Sequence, residues 1–356
     1  MADSPEDASP ITPDDTSASG TYIPPSIHHQ PLIAGHSYAH YSPCPARITP
    51  TPPKTTNLQE SSSIEPTPCV LGVDEAGRGP VLGPMVYSAF YLPLSQHSSL
   101  LTTKDHPFDD SKALTPAVRS NLMRLICTPD HPLYASCGWA VKVMSARDIS
   151  AGMLRPGVGV YNLNAQAMDA TAEIIRGVID DHRVDVKEVY IDTVGNPQSY
   201  QKKLERLFPA LSITVAKKAD SLYPCVSAAS VCAKVTRDAA LEACYETLVK
   251  ERSGESVGHM ADGWGSGYPS DGKCVSWLKK DMDAIFGWGP ECRFSWGTVK
   301  ELLEAKTGTK VNWPVEQDEE VKLMTQFFVT VPTGGGDDAK PDELRDWYGC
   351  RPGAVF

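Results

Sequence analysis

The chain has 356 residues, 41% of them hydrophobic and 22% charged, so most of it is expected to fold around an apolar core. Its net charge of −11 excludes a strongly basic protein that coats nucleic acid. The negative charge is concentrated near the termini, because residues 1–68 and 316–356 carry −5 each and leave −1 for the centre. A nearly neutral centre is compatible with an enzyme that binds nucleic acid through metal ions and local contacts.

The sequence has no features of a membrane or secreted protein. No apolar run reaches the roughly 18 residues that a membrane span requires. The acidic, polar N-terminus does not resemble a secretory signal. The ten cysteines form no Cys-x-x-Cys pair, which favours buried free thiols over zinc sites or disulfides. We therefore expect no membrane partner and no structural zinc.

Composition divides the chain into three regions. Residues 1–68 are rich in Pro, Ser and Thr without sustained hydrophobic periodicity, so they are predicted to be disordered. A folded α/β domain is expected over residues 69–290. Residues 291–356 are expected to form a helical C-terminal extension that is partly flexible around Gly334–Gly336.

Strands dominate the start of the folded domain. An apolar run at Cys69–Val73 and alternating segments at Met85–Leu92 and Tyr134–Met144 predict three antiparallel strands. A helix is expected between the second and third strands, over Pro116–Leu125.

The second half of the domain alternates helices and strands. Its predicted elements, in chain order, are helix Asn162–Asp181, strand Val186–Ile191, helix Pro197–Leu207, strand Leu211–Val215 and helix Tyr223–Lys250. Two further helices are expected over 270–286 and 296–305. This order is typical of the ribonuclease H-like fold, an α/β architecture in which helices flank a mixed five-stranded sheet.

Four acidic residues lie at the ends of these elements. Asp74 and Glu75 follow the first strand, Asp192 follows the central strand, and Asp220 precedes the long helix. If the first and fourth strands are neighbours, these carboxylates share one sheet edge and repel one another unless cations bind between them. Two Mg²⁺ or Mn²⁺ ions would relieve this repulsion and catalyse phosphoryl displacement. A single such acid is commonly a solvated strand end or helix cap, but the Asp74–Glu75 pair before a Gly-Arg-Gly turn favours a metal site.

Residues suited to nucleic acid accompany the acids. The run Gly77-Arg78-Gly79 allows the backbone to approach a phosphate or sugar closely. Tyr268, in a Gly-rich loop, is available to stack on a base or sugar. Basic candidates for phosphate contacts are Lys112, Lys217, Lys218, Lys234 and Arg237. The ordinary alternatives are a solvated helix face for Lys234 and Arg237, and packing on the core for Tyr268.

A series of short motifs along residues 69–315 supplies a family resemblance. The motifs are Asp74–Gly79, Asp110–Lys112, Tyr161–Asn164, Ile191–Gly195, Lys218–Asp220, Ser227–Val235, Gly265–Pro269 and Arg293–Trp296. In residues and in order they resemble the catalytic subunit of eukaryotic type 2 ribonuclease H, also called ribonuclease HII. Residues 1–68 match none of these motifs.

The resemblance implies roles for individual residues. Those that would bind two divalent ions, Mg²⁺ or Mn²⁺, are Asp74, Glu75, Asp192 and Asp220. Those that would bind substrate are Gly77, Arg78, Gly79, Lys112, Asn162, Lys234, Arg237 and Tyr268. Within that set the Gly-Arg-Gly turn would recognise the ribose 2′-hydroxyl, Tyr268 would pack against the adjacent deoxyribose, and Lys112 and Asn162 would hold phosphates.

The resemblance also implies an activity and partners. The expected reaction is endonucleolytic cleavage on the 5′ side of a ribonucleotide in a duplex, leaving 3′-hydroxyl and 5′-phosphate ends. Its substrates would be RNA–DNA hybrids and duplex DNA that contains single ribonucleotides. Two non-catalytic subunits would complete a heterotrimer, and the enzyme would act in the nucleus.

Two other functions remain open at this point. A junction resolvase or a reverse-transcriptase-type ribonuclease H would share the fold, but the Gly-Arg-Gly turn and Tyr268 disfavour it. An inactive scaffold is disfavoured because four clustered acids destabilise a site that holds no metal. The segment Val321–Phe328 resembles a sliding-clamp-binding box in which Val321 replaces the expected Gln; the alternative is an amphipathic helix that docks on the core or on a partner protein.

Overall fold

A mixed six-stranded sheet forms the centre of the molecule. The computed structural model describes residues 22–52, 65–103, 108, 114–155, 161–193, 195–253, 263–307, 310 and 312. The strands are β1 (Tyr38–Tyr41), β2 (Pro68–Ala76), β3 (Met85–Pro93), β4 (Gly138–Met144), β5 (Asp185–Asp192) and β6 (Ser212–Ala216). Their order is β1-β4-β3-β2-β5-β6, with β2 antiparallel to β3 and parallel to β5.

Helices cover both faces of the sheet. They are α1 (His29–Ile33), α2 (His97–Leu101), α3 (Pro116–Cys127), α4 (Pro132–Ser136), α5 (Ala146–Met153), α6 (Leu163–Arg176), α7 (Pro197–Leu207), α8 (Pro224–Ser253), α9 (Gly272–Lys280) and α10 (Gly297–Thr307). Helix α8 lies directly on β2, since a Cβ at Gly72 would stand 2.3 Å from the carbonyl carbon of Cys225. None of the helices described is long and apolar enough to cross a membrane.

The core has two main layers because β2 is apolar on both faces. Val70 packs with residues of α3 and α8 on one side of the sheet, whereas Leu71 packs with residues of α6 and α7 on the other. A third cluster, around Trp264 and Trp288, joins α9 and α10 to the end of α8. The predicted ribonuclease H-like α/β fold with a helical C-terminal region is confirmed.

The parallel pair β2–β5 brings the acidic strand ends together. Val73 is opposite Ile191, so Asp74 and Asp192 follow at the same level of neighbouring strands. On the far side of β5, Asp192 is opposite Ala216 at the end of β6. The expectation that the first and fourth predicted strands are neighbours is therefore correct.

The sheet has one strand more than the five predicted, and the additional strand comes from the region predicted to be disordered. β1 pairs along the open edge of β4, with Tyr38 opposite Val143. The hydroxyls of Ser26 and Thr236 are 2.9 Å apart and buried. The disorder prediction is wrong for residues 22–52, because average composition does not register a short strand that gains its hydrogen bonds from a sheet edge.

Most predicted boundaries differ from the observed ones by a few residues. Residues 134–136 belong to α4, so β4 begins only at Gly138. Helix α6 ends at Arg176 and continues as a π-helical turn over Gly177–Asp181. The helix predicted over 270–286 ends at Lys280, and a turn closed by the backbones of Asp283 and Gly287 follows. Val321–Phe328 lies outside the described residues.

Candidate active site

The four predicted metal ligands lie around the end of β2 and β5. Asp74 is 5% exposed, and Asp220 is 2% exposed in a 3₁₀ turn over Ala219–Ser221. The backbone enters this turn through Lys218, whose φ of +58° is left-handed. Asp192 Oδ1 accepts a hydrogen bond from the amide of Ala219 at 2.9 Å, which links the end of β5 to the turn.

Burial and mutual repulsion perturb two of these carboxylates. Burial raises the pKa of Asp74 above its ordinary value, and the charge of Asp192 adds to the effect. Burial also raises the pKa of Glu75, with further contributions from Asp74, Asp192 and Asp220, against which Arg78 acts. All four acids therefore interact electrostatically, as expected for groups that share one site.

The donor set fits hard divalent cations. Carboxylate oxygens are the ligands that Mg²⁺ and Mn²⁺ prefer. In the part of the chain that the structure describes, no three His, Cys, Asp or Glu side chains are arranged to hold a metal ion. Two of the carboxylates accept hydrogen bonds from backbone amides: Asp74 Oδ1 from Glu75 at 2.8 Å and Asp192 Oδ1 from Ala219 at 2.9 Å.

A cleft of about 530 Å³ opens beside the acids. Glu75, Arg78 and Asp192 line one part of it, and α7 contributes polar residues such as Lys203. Asn162 also lines the cleft, where its side-chain oxygen caps α6 by accepting from the amides of residues 164 and 165. Its side-chain amino group is not used in this cap and remains a donor for the predicted phosphate contact.

The Gly-Arg-Gly turn begins immediately after β2. Gly77 has a φ of +79°, a conformation that a residue with a side chain rarely adopts. The guanidinium of Arg78 donates to Asn164 Oδ1 at 2.5 Å, which orients it across the mouth of the cleft. Asn164 belongs to a recognised motif, but its role as the partner of Arg78 was not predicted, because residues 86 apart in sequence give no local signal.

Tyr268 lies against this turn. A Cβ on Gly79 would be 3.1 Å from Tyr268 Cε1, and the ring is 40% exposed. Arg237 supports it from below, with its guanidinium carbon 5.9 Å from the ring centroid and a 2.8 Å hydrogen bond to the carbonyl of Ser266. The Gly-Arg-Gly turn and Tyr268, which are almost 190 residues apart in the chain, thus form one surface.

The other basic candidates occupy different surroundings. Arg237 is buried and also pairs with Asp238 at 3.0 Å, so its contacts are within the protein. Lys234 is half-buried on α8, and its charge favours the ionised form of Asp74. Lys217 and Lys218 are exposed beside the Asp220 turn. Lys112 lies outside the described residues.

Arg293 and Trp296 are the main site-adjacent residues whose roles the sequence did not reveal. Arg293 is 0% exposed, and its guanidinium donates to the carbonyls of Gly77, Arg78 and Gly83. Trp296 Nε1 donates to the carbonyl of Gly79 at 3.0 Å. Their motif was recognised in the sequence. Only the structure shows that it contacts the turn after β2, which lies more than 200 residues earlier in the chain.

Comparison with known proteins agrees with this geometry. The family model described as Ribonuclease HII matches residues 71–299. The A-subunit of ribonuclease H2 from Neurospora crassa is 52% identical over 335 residues, which are 94% of this chain and 96% of that protein. The human protein of the same name is 41% identical over 79% of this chain and 87% of its own length. The crystal structure of ribonuclease H2 from Pyrococcus horikoshii OT3 superposes with a TM-score of 0.52, at 27% identity, over 68% of this chain and 100% of its own.

A mixed sheet with acids at the end of two parallel central strands defines the class, the metal-dependent nucleases of the ribonuclease H-like fold. Within it, the chain belongs to the ribonuclease HII family and is a metal-dependent endoribonuclease of the ribonuclease H type. The match to the Neurospora protein also includes residues 22–52, since at most about 21 residues of the chain lie outside it.

Proposed function

We propose that this chain cleaves RNA in RNA–DNA hybrids and cleaves duplex DNA on the 5′ side of single ribonucleotides, leaving 3′-hydroxyl and 5′-phosphate ends. The contact between Tyr268 and Gly79 is the observation that carries this proposal. It combines, on one surface beside the acids, a turn suited to a ribose hydroxyl and an aromatic ring suited to the next sugar. Recognition of both sugars is what a ribonucleotide–deoxyribonucleotide junction demands.

The chemistry follows from the donor set. Asp74, Glu75, Asp192 and Asp220 would hold two Mg²⁺ or Mn²⁺ ions, which when bound supply an activated water and stabilise charge on the leaving 3′ oxygen. The carboxylates that repel one another in the absence of counter-charge become favourable ligands. Arg78, held by Asn164, would direct its remaining donors toward a phosphate at the mouth of the cleft.

The proposal extends to partners and location. The relatives are named as the A-subunit of ribonuclease H2, which supports assembly with further chains, and we propose a heterotrimer with two non-catalytic partners. The nearly neutral centre of the chain supports it as well, because partners would add the nucleic-acid contacts that its own charge does not provide. A nuclear location is part of the same proposal, since both substrates arise where genomic DNA is copied.

One assay tests the substrate assignment. Three labelled duplexes are incubated with Mg²⁺ and the chain, with and without its cognate subunits: all-DNA, DNA with one ribonucleotide, and a continuous RNA–DNA hybrid. We expect cleavage of the second and third only, with a 3′-hydroxyl end immediately 5′ of the ribonucleotide. Cleavage of the all-DNA duplex at a similar rate, or of single-stranded RNA alone, would contradict the proposal.

A further inference from the structure

We propose that Arg293 and Trp296 are positioning residues that set ribose recognition by holding the peptide groups of Gly77-Arg78-Gly79 in one orientation. The proposal rests on the proposed function, in which this turn recognises the 2′-hydroxyl. Neither residue needs to touch the substrate. Both act through the carbonyls of the turn.

The guanidinium of Arg293 is bonded entirely to backbone oxygens. Nη2 donates to Gly77 at 2.6 Å, Nη1 to Arg78 at 3.0 Å and Nε to Gly83 at 3.0 Å. Its own amide donates to Val81 at 2.9 Å. One side chain therefore fixes both ends of the loop over residues 77–83.

Trp296 completes the set at the third residue of the turn. Its Nε1 donates to the carbonyl of Gly79 at 3.0 Å, and its ring lies under Arg293 with 4.8 Å between guanidinium carbon and ring centroid. The carbonyls of all three turn residues are thus bound from the same side.

These hydrogen bonds to the carbonyls also fix the direction in which the amide N–H groups of the turn point. In a trans peptide the C=O and the following N–H point in opposite directions, and none of the peptide bonds described is cis. With the carbonyls of Gly77 and Arg78 turned toward Arg293, the amides of Arg78 and Gly79 point away from it. Neither amide donates a hydrogen bond within the described residues. They are left as two adjacent donors for an incoming hydroxyl.

The cost of this arrangement supports a functional role. Arg293 is fully buried and has no carboxylate partner in the described part of the chain, and the charge of Arg237 is close by. Burial lowers the pKa of Arg293 to about 9. An unpaired buried cation is expensive, and an apolar residue would fill the core at less cost. The planar guanidinium reaches these three carbonyls from three separate nitrogens, whereas the three donors of a lysine all radiate from one nitrogen.

The test compares a variant that removes one hydrogen bond to the turn with a variant that replaces the three-donor guanidinium. Trp296→Phe keeps an aromatic ring and removes the hydrogen bond to Gly79, while Arg293→Lys keeps the charge and removes the fork. Trp288→Phe is the matched control, because its Nε1 donates at 3.0 Å to Leu278, in the same apolar cluster but away from the turn. Two quantities are measured on the full chain: the ratio of Kd for all-DNA duplex to Kd for duplex with one ribonucleotide, in Ca²⁺, and amide hydrogen exchange across residues 77–83.

We expect Trp296→Phe to reduce the Kd ratio about tenfold and Arg293→Lys to reduce it further, with faster exchange in the loop for both. Trp288→Phe should keep the wild-type ratio and loop exchange even if it melts earlier. Unchanged Kd ratios in folded Trp296→Phe protein, or an equal fall in the control, would overturn the proposal. If the wild type itself shows no preference for the ribonucleotide, the proposed function fails, and loop exchange alone decides whether these two side chains hold the turn.

Discussion

Asp192 joins the two parts of the acidic site, since it ends β5 and also binds the amide of Ala219 next to Asp220. Asp192→Asn keeps the acceptor oxygen for that amide but loses the charge that a metal site needs. We expect turnover in Mg²⁺ to fall by at least about a hundredfold while the melting temperature stays within a few degrees of wild type. Initial rates on the single-ribonucleotide duplex, together with thermal melting, measure both effects. Near-wild-type turnover of the folded variant would contradict the two-metal assignment.

His40 gives the molecule a predictable response to acid. It lies 3.1 Å from a ring nitrogen of His28, and burial, followed by the charge of His28, lowers its pKa from 6.5 to about 4. The unfolded chain therefore binds this proton first, so the contribution of His40 to the free energy of unfolding is nearly constant above pH 6.5 and decreases as the pH drops from 6.5 to 4, by roughly 2–3 kcal/mol. Melting curves across that range should show a smaller loss for His40→Gln, whereas the exposed His29→Gln should behave like wild type.

The sequence predicts the roles of some individual site residues but not of others. Asp74 and Asp192 were predictable because each directly follows a strand with a clear apolar pattern, and strand neighbourhood then fixes their proximity. The role of Arg293 was not predictable, because the three carbonyls that it binds are more than 200 residues away in the chain. The sequence alone does not distinguish a buried arginine from an exposed one. Only the fold distinguishes Arg237, directed into the protein, from a phosphate ligand on the surface of α8.

At the scale of elements, the loop that carries Tyr268 is held independently of the substrate. Asp271 Oδ2 accepts hydrogen bonds from both the amide and the hydroxyl of Ser266 at 2.8 Å, and Gly267 accepts from the amides of Val81 and Leu82. Hydrogen bonds within the protein therefore hold the loop that carries the Tyr268 ring.

Tyr268→Ala should accordingly impair cleavage at a single ribonucleotide more than cleavage of a continuous hybrid, by on the order of tenfold. An isolated ribonucleotide offers one 2′-hydroxyl, so contact with the adjacent deoxyribose matters more there. Tyr268→Phe keeps the ring and should resemble wild type on both substrates. Equal losses on the two substrates for Tyr268→Ala would assign the ring a structural role.

The N-terminal segment 22–52 behaves as part of the fold. Ser37 joins it to α5, because its amide and hydroxyl both donate to Asp148 Oδ2, at 3.0 and 2.7 Å, and its Oγ accepts from the amide of Ser145 at 3.0 Å. Deleting residues 1–52 should lower the melting temperature by several degrees, and Ser37→Ala alone should cost about 1–2 kcal/mol. Deleting residues 1–21 keeps every one of these contacts and serves as the control. An unchanged melting temperature after the longer deletion would show that β1 is dispensable.

The elements differ in how far sequence could predict them. The bounds of α7 matched because Asn196 and Pro197 form an ordinary helix start and the apolar spacing ends at Leu207. β1 has only four residues, all half-buried, and its pairing with β4 depends on an edge that exists only after the central sheet has formed. Local sequence patterns therefore predict α7 but not β1.

For the whole molecule, charge and exposed apolar surface point to activity within an assembly. The centre carries −1, so its own electrostatic affinity for a duplex is small. Ile285 and Phe286 are 84% and 78% exposed at the tip of the turn after α9, where Asp283 Oδ1 accepts from both of their amides at 2.8 Å and fixes the turn. The sequence adds a second apolar set between Val321 and Val329, outside the described residues. Surface of this kind is typical of an interface core.

We therefore expect the isolated chain to be poorly active and to gain at least about tenfold in kcat/KM with the two partner subunits proposed above, because they would supply contacts with the duplex. Phe286→Asp, and Phe327→Asp with Phe328→Asp, should each weaken assembly, since a charge in an interface core is costly to desolvate. Val118→Asp, at an exposed apolar residue on α3, is the control. Co-purification and initial rates measure both effects. Full activity of the lone chain, together with wild-type assembly of both interface variants, would mean that the duplex contacts lie within this chain.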